Sequence, residues 1–262
     1  MNKLLTIKYF IKNIALLLIF CVSANAQNTD IVGDSVKVET DSIKIQNKYG
    51  LRVGADLSKL VRSFIDDDYT GFEINADYRL TRKIYLAAEL GTEEKITSTD
   101  FLNVTTTGSY LKAGVDYNLY KNWLDMENMI YSGFRIGASA FSHTLNNYTV
   151  YSQDQYWTPQ FTSDTSEDFD GLTAIWVELI FGIKAEVLNN LFMGLNVQFK
   201  TMLSENEPDN FENLYVPGFN KTYDSGAFGF GIGYNISYLI PIYKKDKEIV
   251  LEEGEENIEE DK

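Results

Sequence analysis

Cysteine and histidine are almost missing from this chain of 262 residues, which has one of each, Cys21 and His143. Cys21 lies in an N-terminal segment that we expect to be removed, so the mature chain would have neither a disulfide nor a thiol nucleophile. After this segment, no run approaches the roughly 20 apolar residues of a membrane-spanning helix. A membrane form of the mature chain must therefore be a closed β-barrel.

Basic residues are also scarce, with 23 lysines and arginines against 38 acidic residues. Three of the lysines are Lys3, Lys8 and Lys12, so their removal would change the net charge from -15 to -18 (20 basic against 38 acidic residues). An acidic surface repels the phosphates of nucleic acid, so we expect no nucleic-acid partner. We also expect no cofactor, because Gly229–Gly233 lacks the spacing and the following helix of a dinucleotide-binding motif.

The N-terminus has the three parts of a secretory signal peptide. Basic residues come first, the apolar run Ile14–Val22 follows, and Ala24–Ala26 supplies the small residues of a cleavage site. We therefore predict a signal peptide over 1–26. Lipidation at Cys21 is the alternative, although Phe20 stands where a lipobox requires a small residue.

Strict alternation of apolar and polar residues is the strongest pattern in the chain. In Phe72–Leu80 every second residue is apolar, which predicts a strand whose two faces meet different environments. Eight segments alternate in this way: Leu51–Ser58, Phe72–Leu80, Ile84–Gly91, Ser109–Leu119, Ile130–His143, Ala174–Val187, Leu191–Thr201 and Phe228–Ile240. They predict an all-β fold, an eight-stranded antiparallel up-and-down transmembrane β-barrel with its apolar face toward lipid.

The connections between these segments alternate between short and long. The short ones are 81–83, 120–128 and 188–190, and the long ones are 59–71, 92–108, 144–173 and 202–227. Short periplasmic turns and long extracellular loops are typical of outer-membrane barrels. We therefore predict an outer-membrane location with both termini in the periplasm. The predicted organisation after the signal peptide is a flexible leader at 27–48, the barrel at 49–243 and an acidic periplasmic tail at 244–262.

A soluble barrel that encloses a ligand is the alternative fold, because periodicity does not tell which face is outside. Glycines on the polar face, such as Gly137 and Gly182, favour the membrane barrel, since a narrow lumen needs small side chains.

The predicted lumen carries nearly equal numbers of positive and negative side chains. We expect them to form a packed ion-pair network, because charges removed from water must be paired. The set is Arg52, Asp56, Glu73, Asp77, Arg79, Glu89, Lys112, Asp116, Arg135, Glu178, Lys184, Glu186 and Lys200. A filled lumen argues against a general porin, and a narrow substrate-selective pore remains an alternative.

An enzymatic alternative centres on His143, near the outer end of the fifth predicted strand. Outer-membrane acyl hydrolases and acyltransferases combine a histidine with a serine and an acid. The nearby candidates are Ser139, Ser142, Asp168 and Asp170. Ser142 should face lipid if His143 faces inward, so we expect a non-enzymatic protein with no catalytic residue. No calcium-loop spacing is present either, so we expect no metal site.

The predicted last long loop has too many apolar residues for a solvated connection. Phe211, Leu214, Tyr215 and Phe219 make it either a cover over the barrel mouth or a candidate partner-docking loop. The expected partners are outer-membrane lipid and, through this loop, other envelope proteins. The expected role is structural, or that of a small subunit of an envelope assembly or secretion complex.

Four segments resemble a family of outer-membrane β-barrels from Bacteroidota that is classed as a domain of unknown function. They are Tyr49–Lys59, Asp66–Glu73, Trp123–Asn128 and Leu214–Asn220. The resemblance implies an outer-membrane location for the region from Tyr49 to about Lys245. It supplies neither a reaction nor catalytic residues.

Overall fold

A computed structural model describes residues 46–120, 127–150, 161–208, 211–222 and 227–246. The predicted signal peptide, most of the predicted leader and tail, and residues 123–126 of one resembling segment lie outside these residues. The first strand begins at Gln46, within the predicted leader, and the last strand ends at Asp246, within the predicted tail.

In this part of the chain eight long strands are accompanied by one helix and three short strands. In chain order the elements are β1 (Gln46–Asp56), α1 (Leu57–Ile65), β2 (Tyr69–Arg79), β3 (Ile84–Ser98), β4 (Leu102–Asn118), β5 (Met129–Val150), β6 (Phe161–Ser163), β7 (Glu167–Leu188), β8 (Leu191–Glu205), β9 (Tyr215–Val216), β10 (Asn220–Lys221) and β11 (Phe228–Asp246). The helix is not long and apolar enough to cross a membrane.

The eight long strands form a closed antiparallel ring. Strands that follow one another along the chain are neighbours, from β1 through β2, β3, β4, β5, β7 and β8 to β11. The ring closes where β1 pairs with β11, from Gln46 opposite Asp246 to Asp56 opposite Asn235. The prediction of an eight-stranded antiparallel up-and-down barrel is confirmed.

Apolar side chains cover the outside of the barrel and charged side chains fill its lumen. Leu111 on β4 and Ile136 on the neighbouring strand β5 point outward and are 53% and 54% exposed. Lys112, the residue after Leu111, points inward and is 1% exposed. The alternative of a soluble barrel with an apolar lumen is therefore wrong. Gly137 shows why the inner face needs small residues, because a Cβ at this position would collide with the indole of Trp176.

Several strands continue beyond their predicted ends on the side of the long loops, which we call the mouth. β3 continues from Gly91 to Ser98, and β5 continues from His143 to Val150. Along the added part of β3 the outward positions are mostly polar, namely Thr92, Glu94 and Ser98, with Ile96 as the exception. We call the exposed apolar side chains around the outside of the barrel the apolar belt, and on β3 it ends near Leu90. Above Leu90 the alternation disappears, because neither face of the strand is consistently apolar.

The prediction for the end of the first strand is wrong, because β1 stops at Asp56 and the chain turns into α1. The carboxylate of Asp56 caps the helix by accepting the N–H of Ser58 at 2.7 Å. The outward face of α1 is apolar and carries Leu57, Leu60, Val61, Phe64 and Ile65 at helical spacing. Phe64 is 79% exposed on this face.

Helix α1 occupies the place in the wall where β1 would otherwise continue, between β2 and β11. β1 pairs with β2 only from Leu51 to Ala55, so the upper part of β2 has no strand beside it on this side. There the N–H of Gly71 donates to the hydroxyl of Ser63 on α1, at 2.8 Å. A helical side chain thus satisfies a backbone group that a strand would normally satisfy.

Candidate functional site

A connected series of ion pairs of alternating sign crosses the lumen. Asp77 joins Arg52 to Lys184 at 2.8 Å each, and Asp116 joins Lys184 to Arg135 at 3.7 and 2.8 Å. The series continues through Glu89, which lies 3.4 Å from Arg135 and 3.0 Å from Lys112. Side chains from six strands take part, so the network ties opposite walls of the barrel together.

Lys112 is the branching point of this network. Besides Glu89, its ammonium lies 3.6 Å from Glu73 and 3.6 Å from Glu178, and Lys200 is also 3.6 Å from Glu178. These charges are buried, and their neighbours of opposite sign compensate for the lost hydration. Neutral groups also contribute, since the indole N–H of Trp176 donates to Glu178 at 2.7 Å. The lumen at this level is therefore filled with paired charges.

Ten of the thirteen predicted lumen residues belong to this network. The other three lie elsewhere: Asp56 caps α1, Arg79 pairs with Glu127 at 2.6 Å, and Glu186 pairs with Lys48 at 3.3 Å. The last two pairs lie at the end with the short turns. Sequence reasoning did not identify Lys48, Glu127, Lys59 or Glu93 as members of the polar interior.

A short hairpin closes the mouth. It consists of β9, the turn 217–219 and β10, and we call it the mouth hairpin. Phe219 is buried against Trp176, with their rings edge to face and 6.1 Å apart, and Val216 packs in the same apolar cluster. Gly218 has a φ of +83°, which favours glycine, and its position against the ring of Tyr110 leaves no room for a Cβ.

Glu93 is the polar anchor of the mouth hairpin. Its carboxylate accepts the N–H of Gly218 at 2.9 Å and the hydroxyls of Tyr215 at 2.7 Å and Tyr69 at 3.0 Å. It also pairs with the ammonium of Lys59 on α1. One buried carboxylate therefore connects the helix, the wall and the hairpin.

Glu93 lies above the apolar belt, between the polar outward residues Thr92 and Glu94. Burial alone would raise the pKa of its carboxyl, but the ammonium of Lys59 and the hydrogen bonds from Lys59, Gly218 and Tyr215 outweigh burial. Together they lower the pKa of Glu93 to about 2. The anchor is therefore ionised at any physiological pH.

His143 also lies above the belt and holds the segment before the mouth hairpin. Its Nδ1 is 2.8 Å from the hydroxyl of Thr106, and its Nε2 is 2.9 Å from Oδ1 of Asn213. Burial lowers the pKa of the imidazole, and the hydrogen bond to Asn213 opposes this effect only in part. A neutral ring that donates from Nε2 and accepts at Nδ1 fits both contacts.

Two of the four candidate catalytic partners of His143, Ser139 and Asp168, are engaged elsewhere. Ser139 donates to the carbonyl of Ser109 at 3.2 Å, and Asp168 accepts the hydroxyl of Thr144 at 2.8 Å. Both ring nitrogens of His143 have other hydrogen-bond partners, so within the described ranges no serine is activated by this histidine. No cluster of three or more histidine, cysteine or acidic side chains in those ranges could hold a metal ion.

The apolar residues of the predicted last loop lie at the mouth. Tyr215 and Phe219 are buried inside the barrel, and Phe211 packs against His143 and Phe169 with ring centroids 5.8 and 5.3 Å away. Leu214 is half-buried. Of the two alternatives for this loop, the arrangement matches the cover over the mouth.

We expect substitution of His143 with alanine to leave the lipids of the producing cell unchanged, because its ring nitrogens bind Thr106 and Asn213 rather than a nucleophile. Mass spectrometry of extracted lipids from cells with the wild-type and H143A proteins checks this. Thr106→Val is the matched control, since it breaks the same hydrogen bond and keeps the imidazole. A lipid species that disappears with H143A and persists with T106V would reinstate an acyl-transfer reaction.

Several solved structures have a similar fold. Neisserial surface protein A (NspA) is 10% identical with a TM-score of 0.40, and the match covers 74% of this chain and 99% of that one. Ail, the attachment invasion locus protein of Yersinia pestis, is 7% identical with a TM-score of 0.37, covering 76% and 100%. CarO of Acinetobacter baumannii is 8% identical with a TM-score of 0.33, covering 76% and 98%.

Comparison with curated proteins finds no match. The model of one protein family, described as a domain of unknown function (DUF6048), matches residues 6–245. This match spans almost the whole chain, including every strand of the barrel except the last residue of β11. The chain belongs to the DUF6048 family.

Proposed function

We propose that this protein is a non-enzymatic, non-conducting integral barrel of the outer membrane with a structural role, on its own or as a small subunit of an envelope assembly or secretion complex. The observation that carries the proposal is the continuous ion-pair network across the lumen. Its paired charges occupy the lumen and tie the walls together, which supports a barrel that conducts nothing.

The apolar belt supports the membrane part of the proposal. Leucine, isoleucine, valine and phenylalanine side chains are about half exposed around the barrel, for example Leu90, Ile175 and Phe199. Soluble proteins do not normally expose an apolar surface that encircles the whole molecule. In a membrane barrel the hydrocarbon chains of the bilayer cover such a surface. The proposed orientation has the short turns in the periplasm and the mouth outside the cell.

The projecting strands support an interaction role. β5 and β7 have 22 residues each, and β6 extends the sheet beside β5. Val150 and Phe161 are exposed at this edge, 51% and 61% respectively. A partner outside the membrane would meet this extension before the rest of the barrel.

The purified protein, reconstituted in planar bilayers, is expected to give no current steps above baseline, because two layers obstruct the lumen. A general porin reconstituted in the same way is the positive control, and heat-dependent mobility on gels verifies that the test protein is folded. A variant in which 215–221 is replaced by a short glycine-serine linker removes the mouth hairpin alone.

This variant is also expected to be silent, since the network around Lys112 lies below the mouth hairpin. Reproducible ohmic steps from the folded wild-type protein would contradict the proposal and favour the narrow pore. Steps from the variant alone would mean that the mouth hairpin, rather than the network, is the barrier.

A further inference from the structure

The wall of the barrel has a gap beside α1. Above the pair formed by Asp56 and Asn235, β11 continues upward through Phe228–Tyr234 with β8 as its strand partner on one side. On the other side α1 packs where a strand would be. Residues of an antiparallel strand turn their backbone groups to both sides, so some N–H and C=O groups of Phe228–Tyr234 face the gap.

A cavity of about 520 Å³ lies in this gap, between α1, β11 and the mouth hairpin. Lys112 and Lys200 from the lumen line it, and so do Phe230 and Ile232, which point outward and are 56% and 64% exposed. Because lumen-facing and outward-facing side chains line one space, the cavity passes through the wall. It opens on the lipid-facing side of the barrel, and its volume is in the usual range of ligand sites.

The polar part of the cavity is rich in cationic donors. Five cations line it, namely Lys59, Arg62, Lys95, Lys112 and Lys200, and Asp56 is the one carboxylate among the described lining residues. The acids that pair with these cations, such as Asp66 with Lys95 at 3.0 Å, lie behind them and not in the lining. A ligand in this space therefore meets hydrogen-bond donors and must offer acceptors.

Arg62 is the donor with the most unused capacity. Its guanidinium lies over the ring of Tyr69, with Cζ 3.9 Å from the ring centroid, and its Nε is 3.4 Å from Asp66. Its two terminal nitrogens have no hydrogen-bond partner in the described part of the chain. A planar guanidinium with free terminal N–H groups matches the oxygens of a phosphate.

We propose that this cavity binds the phosphate-bearing headgroup of a membrane lipid, which enters from the bilayer between α1 and β11. Arg62 and Lys95 hold the phosphate, and the acyl chains leave the cavity along Phe230 and Ile232. The headgroup oxygens also accept hydrogen bonds from the open edge of β11. An unpaired strand edge in contact with hydrocarbon would otherwise leave backbone N–H and C=O groups without partners, which lipid cannot supply.

Native mass spectrometry of the detergent-purified full-length protein tests the site. Dioleoyl phosphatidic acid and dioleoylglycerol are titrated separately, because they share acyl chains and differ in the phosphate. We expect one equivalent of phosphatidic acid to be retained and no dioleoylglycerol. Arg62→Gln should weaken retention about tenfold, the effect of about 1.4 kcal/mol from a lost charge-assisted hydrogen bond.

Arg82→Gln is the matched control, because Arg82 lies in the turn at the opposite end of the barrel. It should bind phosphatidic acid as the wild type does. The proposal would be overturned if R62Q retained phosphatidic acid as well as the wild type does. It would also be overturned if the wild type retained dioleoylglycerol as well as phosphatidic acid. Full displacement by equimolar inorganic phosphate would also overturn it, since the ligand would then be free phosphate and the acyl chains would contribute nothing.

Discussion

Substitution of Lys112 with methionine is expected to lower the free energy of unfolding by about 3–5 kcal/mol, the range for removing one partner from a buried charge cluster. Lys112 is 1% exposed, and its ammonium lies within 3.6 Å of the carboxylates of Glu73, Glu89 and Glu178. Methionine fills a similar volume but has no positive charge, so the three buried carboxylates lose the ammonium that compensates their negative charge. Urea unfolding in lipid vesicles, followed by tryptophan fluorescence, measures the loss.

Lys83→Met is the control for this measurement, because Lys83 is exposed in the turn between β2 and β3. It should change the unfolding free energy by no more than about 0.5 kcal/mol. Adding Glu178→Gln to K112M removes one of the uncompensated charges and should restore part of the stability. If the loss of unfolding free energy in K112M/E178Q equalled the sum of the losses in the two single variants, Lys112 and Glu178 would not be coupled. That result would contradict the ion pair between them.

Substitution of Glu93 with alanine is expected to release the mouth hairpin and to lower the unfolding free energy by about 3 kcal/mol. Glu93 is 1% exposed and holds Lys59, Tyr69, Tyr215 and the backbone of Gly218. Without it these groups lose a common partner inside the mouth. Hydrogen exchange at residues 211–222 should accelerate strongly, while exchange in the lower half of β3 should not change.

Glu94→Ala is the matched control, because Glu94 is the next residue on β3 and is exposed. The difference between E93A and the wild type should also depend on pH. The folded pKa of Glu93 is about 2, below its ordinary value of 4.5, so its contribution to stability is complete above pH 4.5 and is lost as the pH falls toward 2. A difference that stays constant from pH 7 to pH 2 would show that the charge of Glu93 is not what stabilises the mouth.

The ring of strands could be predicted from the sequence because successive residues of each strand face the outside and the lumen in turn, so apolar and polar residues alternate. In β2, Ile74 and Phe72 face outward while Glu73 faces the lumen, as the alternation from Phe72 onward indicates. The strand ends at the mouth could not be predicted in this way. From Thr92 to Ser98 on β3 neither face is consistently apolar, so period two is no longer visible in the residues.

Helix α1 was missed although its signals are present. Asp56 is a favourable N-cap, and Leu57, Leu60, Val61 and Phe64 have helical spacing. The apolar Leu57 also continues the alternation of Val53 and Ala55, so the strand pattern and the helix pattern overlap at one residue. A search for period 3.6 after Asp56 would have found it.

The lumen network was predicted as a set of residues, but its partners were not. Which lysine meets which carboxylate depends on how far each strand is shifted against its neighbour, and the sequence does not give these shifts. Glu93 was missed because it lies beyond the predicted end of its strand, and Lys59 because it lies on the missed helix. The position of the mouth hairpin depends on the same tertiary contacts, since Tyr215 and Phe219 are buried by residues far away in sequence.

The pairing of β1 with β11 has a consequence for biosynthesis. The strand that completes the circle is the last in the chain, and its partner is the first. A truncated chain that ends before Phe228 would have two unpaired sheet edges, at β1 and β8, and a bilayer does not tolerate unpaired edges. The ring can therefore close only when β11 is present to pair with β1.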